Sequence, residues 1–215
     1  MKPLLIAGPT ASGKSAYALR EAAKGGVVIN ADASQVYDGW RVLTARPSEE
    51  EEAAAPHMLY GHVDPGRRYS VGSWLRDVRV ALDECEQMGL RAIIIGGTGL
   101  YFKALTEGLA EIPTTDEEVR RIVGERLRRE GLFFLANELK RLDPETAAIV
   151  DLNNPMRVLR ALEVLEATGK GLAAWREETP PPLVAEADKV LVTMERDALY
   201  ERCDRRFELM LEQGA

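Results

Sequence analysis

Leu4-Leu5-Ile6-Ala7 followed by Gly8-Pro9-Thr10-Ala11-Ser12-Gly13-Lys14-Ser15 decides the fold. The first four residues read as a short buried strand, and Ala16 to Lys24 has helical composition, so a glycine-rich octet joins a strand to a helix. The octet fits GxxxxGK[ST], the P-loop, and each fixed position has a mechanical reason. Glycines let backbone amides turn towards phosphate oxygens, Lys14 supplies positive charge, and the Ser15 hydroxyl is a candidate Mg2+ ligand. The helix start adds favourable partial charge. Gly8 to Ser15 are therefore read as a nucleotide- or diphosphate-binding loop. The motif names no reaction, because an ATP-type triphosphate and a diphosphate leaving group fit it equally.

Outward from the loop, Val27-Val28-Ile29 after Gly25-Gly26 reads as a second strand. His57 to Val63 reads as a third, and Ala92 to Ile95 as a fourth that exits through Gly96-Gly97. Val71 to Met88 carries an apolar stripe at helical spacing. Continuous apolar strands alternating with helices predict an α/β fold, a P-loop NTPase-like parallel sheet core. Ligands of such sheets sit at the carboxyl ends of the strands, where Gly8, Asp32 and Thr98 fall. From Thr114 the texture becomes helical, with segments expected at 117–130, 132–141, 144–150 and 155–168. Pro180-Pro181-Pro182 reads as a linker before a last strand at 189–194 and a final helix at 199–213. The expected organisation is a discontinuous core, 1–113 and 183–215, carrying an all-helical insertion domain, 114–182.

Composition bounds the function. Hydrophobic residues make up 46% and charged residues 29% of 215, enough for a sizeable core. No apolar run approaches the roughly 20 residues needed to span a bilayer, so no membrane partner is expected. The apolar stretch after Met1-Lys2-Pro3 is too short for a signal peptide, so a cytoplasmic location is expected. Cys85 and Cys203 fall on apolar helix positions and read as buried free thiols, with no metal-type cysteine cluster. The net charge of −7 argues against a generally basic nucleic-acid surface. Glu49 to Glu52 read as a solvated loop or helix start, and His57 and His62 as structural. Tyr37, Trp74 and Tyr101 read as core aromatics.

The combination of segments resembles the tRNA dimethylallyltransferases, the IPP (isopentenyl) transferase family. The resemblance runs in order through GPTASGKS (8–15), ADxxQVY (31–37), LTARP (43–47), PHML (56–59), DPxxxYSV (64–71) and GGTGLY (96–101). It continues through PTTDEEVR (113–120), RVLRALEVLEATGK (157–170) and LYERCDRRFELM (199–210). It implies transfer of a dimethylallyl group from dimethylallyl diphosphate to the exocyclic amine of an adenosine beside the anticodon of tRNA. On that resemblance Asp32 and Thr98 are catalytic, Asp32 as general base. Lys14, Ser15, the amides of residues 10–15 and Arg206 hold the diphosphate with Mg2+. Asp32, Ala33, Ser34, Gln35, Thr98, Arg120, Met156, Arg157, Val158, Leu159 and Arg160 contact the anticodon stem-loop, whose target base is extruded. A monomer is expected.

Four positions depart from the family pattern: Ala33 for serine, Leu43 for glycine, Met58 for histidine and Met156 for a polar residue. They bear on the grip on RNA more than on the chemistry. Family members usually run on past the final helix, so the resemblance implies a C-terminally truncated chain ending at Ala215. Three alternatives stay open: an adenylate isopentenyltransferase, a small-molecule P-loop kinase and a nucleotide-gated RNA-binding module. For the kinase, Asp64 is the candidate acidic metal ligand at a further strand end. Arg202 and Arg206 share a helical face and have a plainer reading, pairing with nearby acids.

Overall fold

The computed structural model describes residues 1–215 and divides into two compact units, 1–108 with 182–215, and 109–181. In the first unit, β1 (Leu4–Ala7) leads through the P-loop into α1 (Lys14–Ala22) and β2 (Gly26–Asn30). Two short helices, α2 (Arg41–Thr44) and α3 (Glu49–Ala54), precede β3 (His57–Met58). Then come α4 (Val71–Met88), β4 (Arg91–Gly96) and α5 (Gly99–Glu107). The second unit holds α6 (Glu117–Glu130), α7 (Leu132–Leu142), α8 (Pro144–Ile149), α9 (Pro155–Thr168) and α10 (Leu172–Glu177). The chain then returns to the first unit with β5 (Asp188–Leu191) and α11 (Arg196–Glu212).

The sheet is five-stranded and all parallel, in the order β3-β2-β4-β1-β5. Its strands read as unbroken apolar runs because both faces are covered. Leu5, Val27, Ile29 and Ile94 pack with Trp74, Val78, Cys85, Tyr101 and Leu105 on one side. Leu4, Ile6, Val28, Ile93 and Ile95 pack with Ala18 and Ala22 of α1 on the other. Neighbouring residues in one strand thus serve different cores, as a period of two requires. The sheet order sets β4 between β2 and β1, so the loops after these three strands lie side by side at one end.

Gly96 permits that convergence. A Cβ there would stand 2.0 Å from the Ala31 carbonyl oxygen, a backbone atom that cannot swing away. Ala31 N–H donates to Ile95 O at 2.7 Å, which holds the two strand ends in register. Gly96→Ala is therefore expected to cost about 1–3 kcal/mol of stability by overpacking, read as a lower denaturant midpoint. An unchanged midpoint would show that the strand ends can part without cost.

In the helical unit each helix start realises a punctuation mark of the sequence. Asp116, Asp143 and Asn154 are side-chain N-caps, and Pro144 and Pro155 occupy first-turn positions where a missing N–H costs nothing. Val123, Leu135, Leu139, Val158, Ala161 and Leu162 form a separate core. Arg126 ties three helices together through Glu130, Glu138 and Glu166 at 3.2, 2.5 and 3.3 Å.

Several expectations are corrected. The third strand stops at Met58, because Leu59 (φ 64°) and Gly61 (φ 53°) turn the chain, leaving one isolated bridge between Tyr37 and Val63. The last strand is confined to 188–191 and the final helix starts at Arg196. Helices α2, α5 and α10 lack a clear apolar period in the sequence. Glu49 to Glu52 open a true helix with a reciprocal Ser48–Glu51 capping box. Cys85 is buried, and burial pushes its thiol pKa up. Cys203 is only partly buried, its Sγ 3.9 Å from Thr10 O. No helix is long and apolar enough to cross a membrane.

Candidate active site

The P-loop folds tightly on itself. Ser12 N–H donates to Pro9 O at 3.3 Å, and Ala11 (φ 61°) and Gly13 (φ 93°) both take left-handed backbone. Gly13 can do so freely, whereas Ala11 carries a cost of about 1–2 kcal/mol. Gly8 is required for a different reason: a Cβ would meet Val192 O of the chain leaving β5 at 2.3 Å. The Lys14 ammonium bends back and donates to Pro9 O at 2.6 Å. Burial lowers its pKa, the Asp32 charge raises it, and Arg206 lowers it further. The Ser12 hydroxyl is buried without a hydrogen-bond partner.

Asp32 is positioned from below by Asn30, which is fully buried. Asn30 Oδ1 accepts from Asp32 N–H at 2.9 Å, and its Nδ2 donates to Asp32 O and Leu59 O, both at 3.0 Å. Trp74 Nε1 donates to Asn30 O at 2.8 Å. The Trp74 ring stacks on Tyr101 at 4.4 Å and 15°. Burial pushes the Tyr101 phenol up to about 12, with smaller contributions from Tyr37 and Asp32. The carboxylate itself is divided. Oδ1 accepts from Ser34 N–H at 2.9 Å and Ser34 Oγ at 2.7 Å, while Oδ2 makes no hydrogen bond. Thr98 supports the loop after β2: its Oγ1 accepts from Ala33 N–H at 3.0 Å.

The P-loop and Asp32 border one cleft of about 570 Å³, lined by Thr10 to Ala16, Asp32, Ser34, Gln35, Ile95, Gly96, Arg202 and Arg206. Its far wall is Leu43, Thr44, Ala45, Glu51 and Tyr60. Gln35 holds that wall, donating through Nε2 to Thr44 O at 2.8 Å and Ala45 O at 2.9 Å. Burial, then the charges of Asp32, Glu51 and Glu52, raise the Tyr60 phenol. Residues 43–45 fall in the matched segment LTARP, whereas nothing in the sequence singles out Tyr60, which falls within the third strand expected at 57–63. Arg202 and Arg206 do not pair with nearby acids: no carboxylate lies within 4.0 Å of either guanidinium in the ion pairs of this structure.

The remaining positions expected to meet RNA lie in the helical unit. Met156 (71% exposed) and Arg157 stand at the start of α9, and Arg120 is half-buried on α6. Arg160 Nη1 donates to Thr115 Oγ1 at 2.8 Å and lies 3.7 Å from Glu163. Leu159 packs against the helical core. Val158 needs correcting as a side-chain contact: it is 0% exposed, locked among apolar neighbours by its place on the inner face of α9.

The family model described as IPP transferase matches residues 35–215. A tRNA dimethylallyltransferase of Paracoccus denitrificans is 56% identical over 218 residues, covering 100% of this chain and 72% of its own. One from Bradyrhizobium sp. (strain BTAi1 / ATCC BAA-1182) is 54% identical, with 71% of its length covered. Among solved structures, a eukaryotic dimethylallyltransferase acting on tRNA superposes with a TM-score of 0.82 at 28% identity, over 99% of this chain and 53% of that one. The tRNA isopentenylpyrophosphate transferase of Bacillus halodurans matches at a TM-score of 0.62 and 33% identity, with 67% of its chain covered. Built on a P-loop core with a helical unit between its fourth and fifth strands, the chain belongs to the IPP transferase family.

Proposed function

We propose that this cleft transfers a dimethylallyl group from dimethylallyl diphosphate to the exocyclic amine of an adenosine next to the anticodon of tRNA. The observation that carries the reading is the pairing of an open carboxylate oxygen, Asp32 Oδ2, with a phosphate-binding loop in one cleft. The amine nitrogen attacks the first prenyl carbon, and a new N–C bond forms. The C–O bond to the diphosphate breaks, and its electron pair leaves with the diphosphate. Asp32 Oδ2 accepts the proton that the amine must lose. The P-loop amides, Lys14 and Arg206 hold the diphosphate as its charge grows, which is where fixed donors contribute most. Ser34 keeps the carboxylate from rotating, and Asn30 fixes the backbone that carries it.

The oxygen donors present suit Mg2+. Ser15 is exposed on the first turn of α1 and borders the cleft, and hard hydroxyl and phosphate oxygens are what this ion prefers. Ser15 would hold it, and bound there it would offset diphosphate charge. Arg120, Met156 and Arg157 are the exposed or half-exposed positions offered to the anticodon arm from the helical unit. The kinase reading loses support. Asp64 follows the edge strand β3, spends its Oδ1 on Gly66 N–H at 2.7 Å and does not border the cleft.

Incubation with labelled dimethylallyl diphosphate, Mg2+ and tRNA lacking the modification should place label on the adenosine beside the anticodon. Label on free AMP instead would move the assignment to adenylate prenylation. ADP made from ATP with a small acceptor would move it to a kinase.

A further inference from the structure

We infer that Leu43 is a specificity-determining residue that packs against the hydrocarbon part of the prenyl donor. The inference rests on the reading of the cleft as a site for dimethylallyl diphosphate and names the side chain that meets its apolar end. Leu43 lies in α2, borders the cleft and is 62% exposed. It belongs to none of the three apolar cores, so the fold itself makes no use of its side chain. The other aliphatic residues along the cleft are small, as Ala11, Ala16 and Ala45 are, or already buried, as Ile95 is. Leu43 is therefore the large aliphatic side chain there with surface left to lose. A lone exposed leucine needs no explanation by itself; the support built around this one does.

A helix as short as α2 cannot hold itself, and it is anchored from both ends. At its start Arg41 reaches Glu52 at 2.7 Å and donates through Nε to Pro47 O at 2.9 Å. At its end Gln35 Nε2 takes the carbonyls of Thr44 and Ala45. Ala45 there is left-handed (φ 49°), a conformation that costs an alanine about 1–2 kcal/mol. The wall's polar groups are turned to the protein. The Thr44 hydroxyl and N–H both go to Trp40 O, at 2.7 and 3.1 Å, and Glu51 accepts from Ser48 N–H at 2.9 Å. A wall so fixed, with its polar groups engaged, offers the cleft an apolar contact through Leu43. The diphosphate has the P-loop and the amine has Asp32. The prenyl group has no hydrogen bond to make, and removal of apolar area from water is what can hold it. Leu43 is also where this chain departs from the family's glycine, so the contact is written in this chain's own sequence.

The test is titration calorimetry of this chain with dimethylallyl diphosphate and, separately, methyl diphosphate, with Mg2+ and without tRNA. The two ligands carry the same charge and differ in hydrocarbon. Leu43→Ser should weaken dimethylallyl diphosphate binding by about 4- to 15-fold, what one or two buried methylene groups contribute. Its affinity for methyl diphosphate should match the parent's. Leu43→Met, a swap of similar volume, should bind both ligands as the parent does. Both variants should unfold at the parent's temperature, because Leu43 is exposed and outside every core. Equal losses for the two ligands in Leu43→Ser, or no loss for either, would overturn the contact while leaving the site's reading intact. Steady-state transfer in which Leu43→Ser raises KM for tRNA but not for dimethylallyl diphosphate would overturn it too, by giving the side chain to the RNA. Failure of the unaltered chain to bind methyl diphosphate would remove the site's reading, and the contact with it.

Discussion

Asp32→Asn should lower prenyl transfer by about 10²–10⁴-fold, the usual contribution of a positioned base, without unfolding the protein. The geometry makes the two halves of this expectation separable. Oδ1 is structural, accepting from Ser34 N–H and Ser34 Oγ, and an asparagine Oδ1 can accept both bonds. Oδ2 has no structural partner, so its replacement by an amide removes basicity and little else. Diphosphate should bind as well as before or more tightly, because a negative charge beside the anion site is gone. Lys14 would also lose the influence that raises its pKa, while burial and Arg206 continue to lower it. Loss of its charge would then begin at lower pH in the variant, so tighter binding is expected near neutrality and should fade towards alkaline pH. Single-turnover transfer measured alongside diphosphate titration separates these effects. Undiminished transfer by Asp32→Ala would remove the base assignment outright.

Trp74→Ala should destabilise the first unit by about 3–5 kcal/mol through the cavity alone. The side chain is 0% exposed and projects from α4 against β2 and α5. Its indole N–H is the hydrogen-bond donor to Asn30 O, and leaving that buried carbonyl unpaired adds about 1–3 kcal/mol. The damage should reach the chemistry, because Asn30 is the residue that sets the backbone of Asp32. Trp74→Phe keeps most of the ring stacked on Tyr101 and removes only the donor. It should lose less stability than alanine yet still lower the transfer rate. Denaturant unfolding and transfer rates measured on the same two variants test the chain of support. A Trp74→Phe variant with parent rates would show that Asn30 holds Asp32 without help from the indole.

Much of the core could be read directly from residue order. A P-loop declares itself because its amides, glycines and lysine must follow one another without a gap. Buried parallel strands do so because both faces need apolar residues, as in Leu4 to Ala7 and Ala92 to Ile95. Helices α6 to α9 were legible from their caps, since Asp143-Pro144 and Asn154-Pro155 are local signals. Helix α5 was not, because its apolar residues Tyr101, Ala104 and Leu105 are too few and follow glycines that suggest a turn. The third strand was overread, since nothing in the sequence marks Leu59 as left-handed. Gln35 and Thr98 lie in matched motifs, but only the fold brings one to hold the 44–45 wall and the other to hold Ala33.

What the sequence determined by itself was the phosphate loop, the parallel α/β core and the identity of Asp32 as the carboxylate at the second strand end. These rest on interactions between residues close in the chain, so local order is enough to encode them. Tertiary structure alone decided which oxygen of Asp32 is open and that the Thr98 hydroxyl holds Ala33. It also decided that Arg202 stands with Arg206 over a loop almost 200 residues earlier. Those outcomes depend on how β4 separates β2 from β1 and on how α11 returns across the strand ends. Such approaches between distant segments are set by packing, and no spacing along the chain records them.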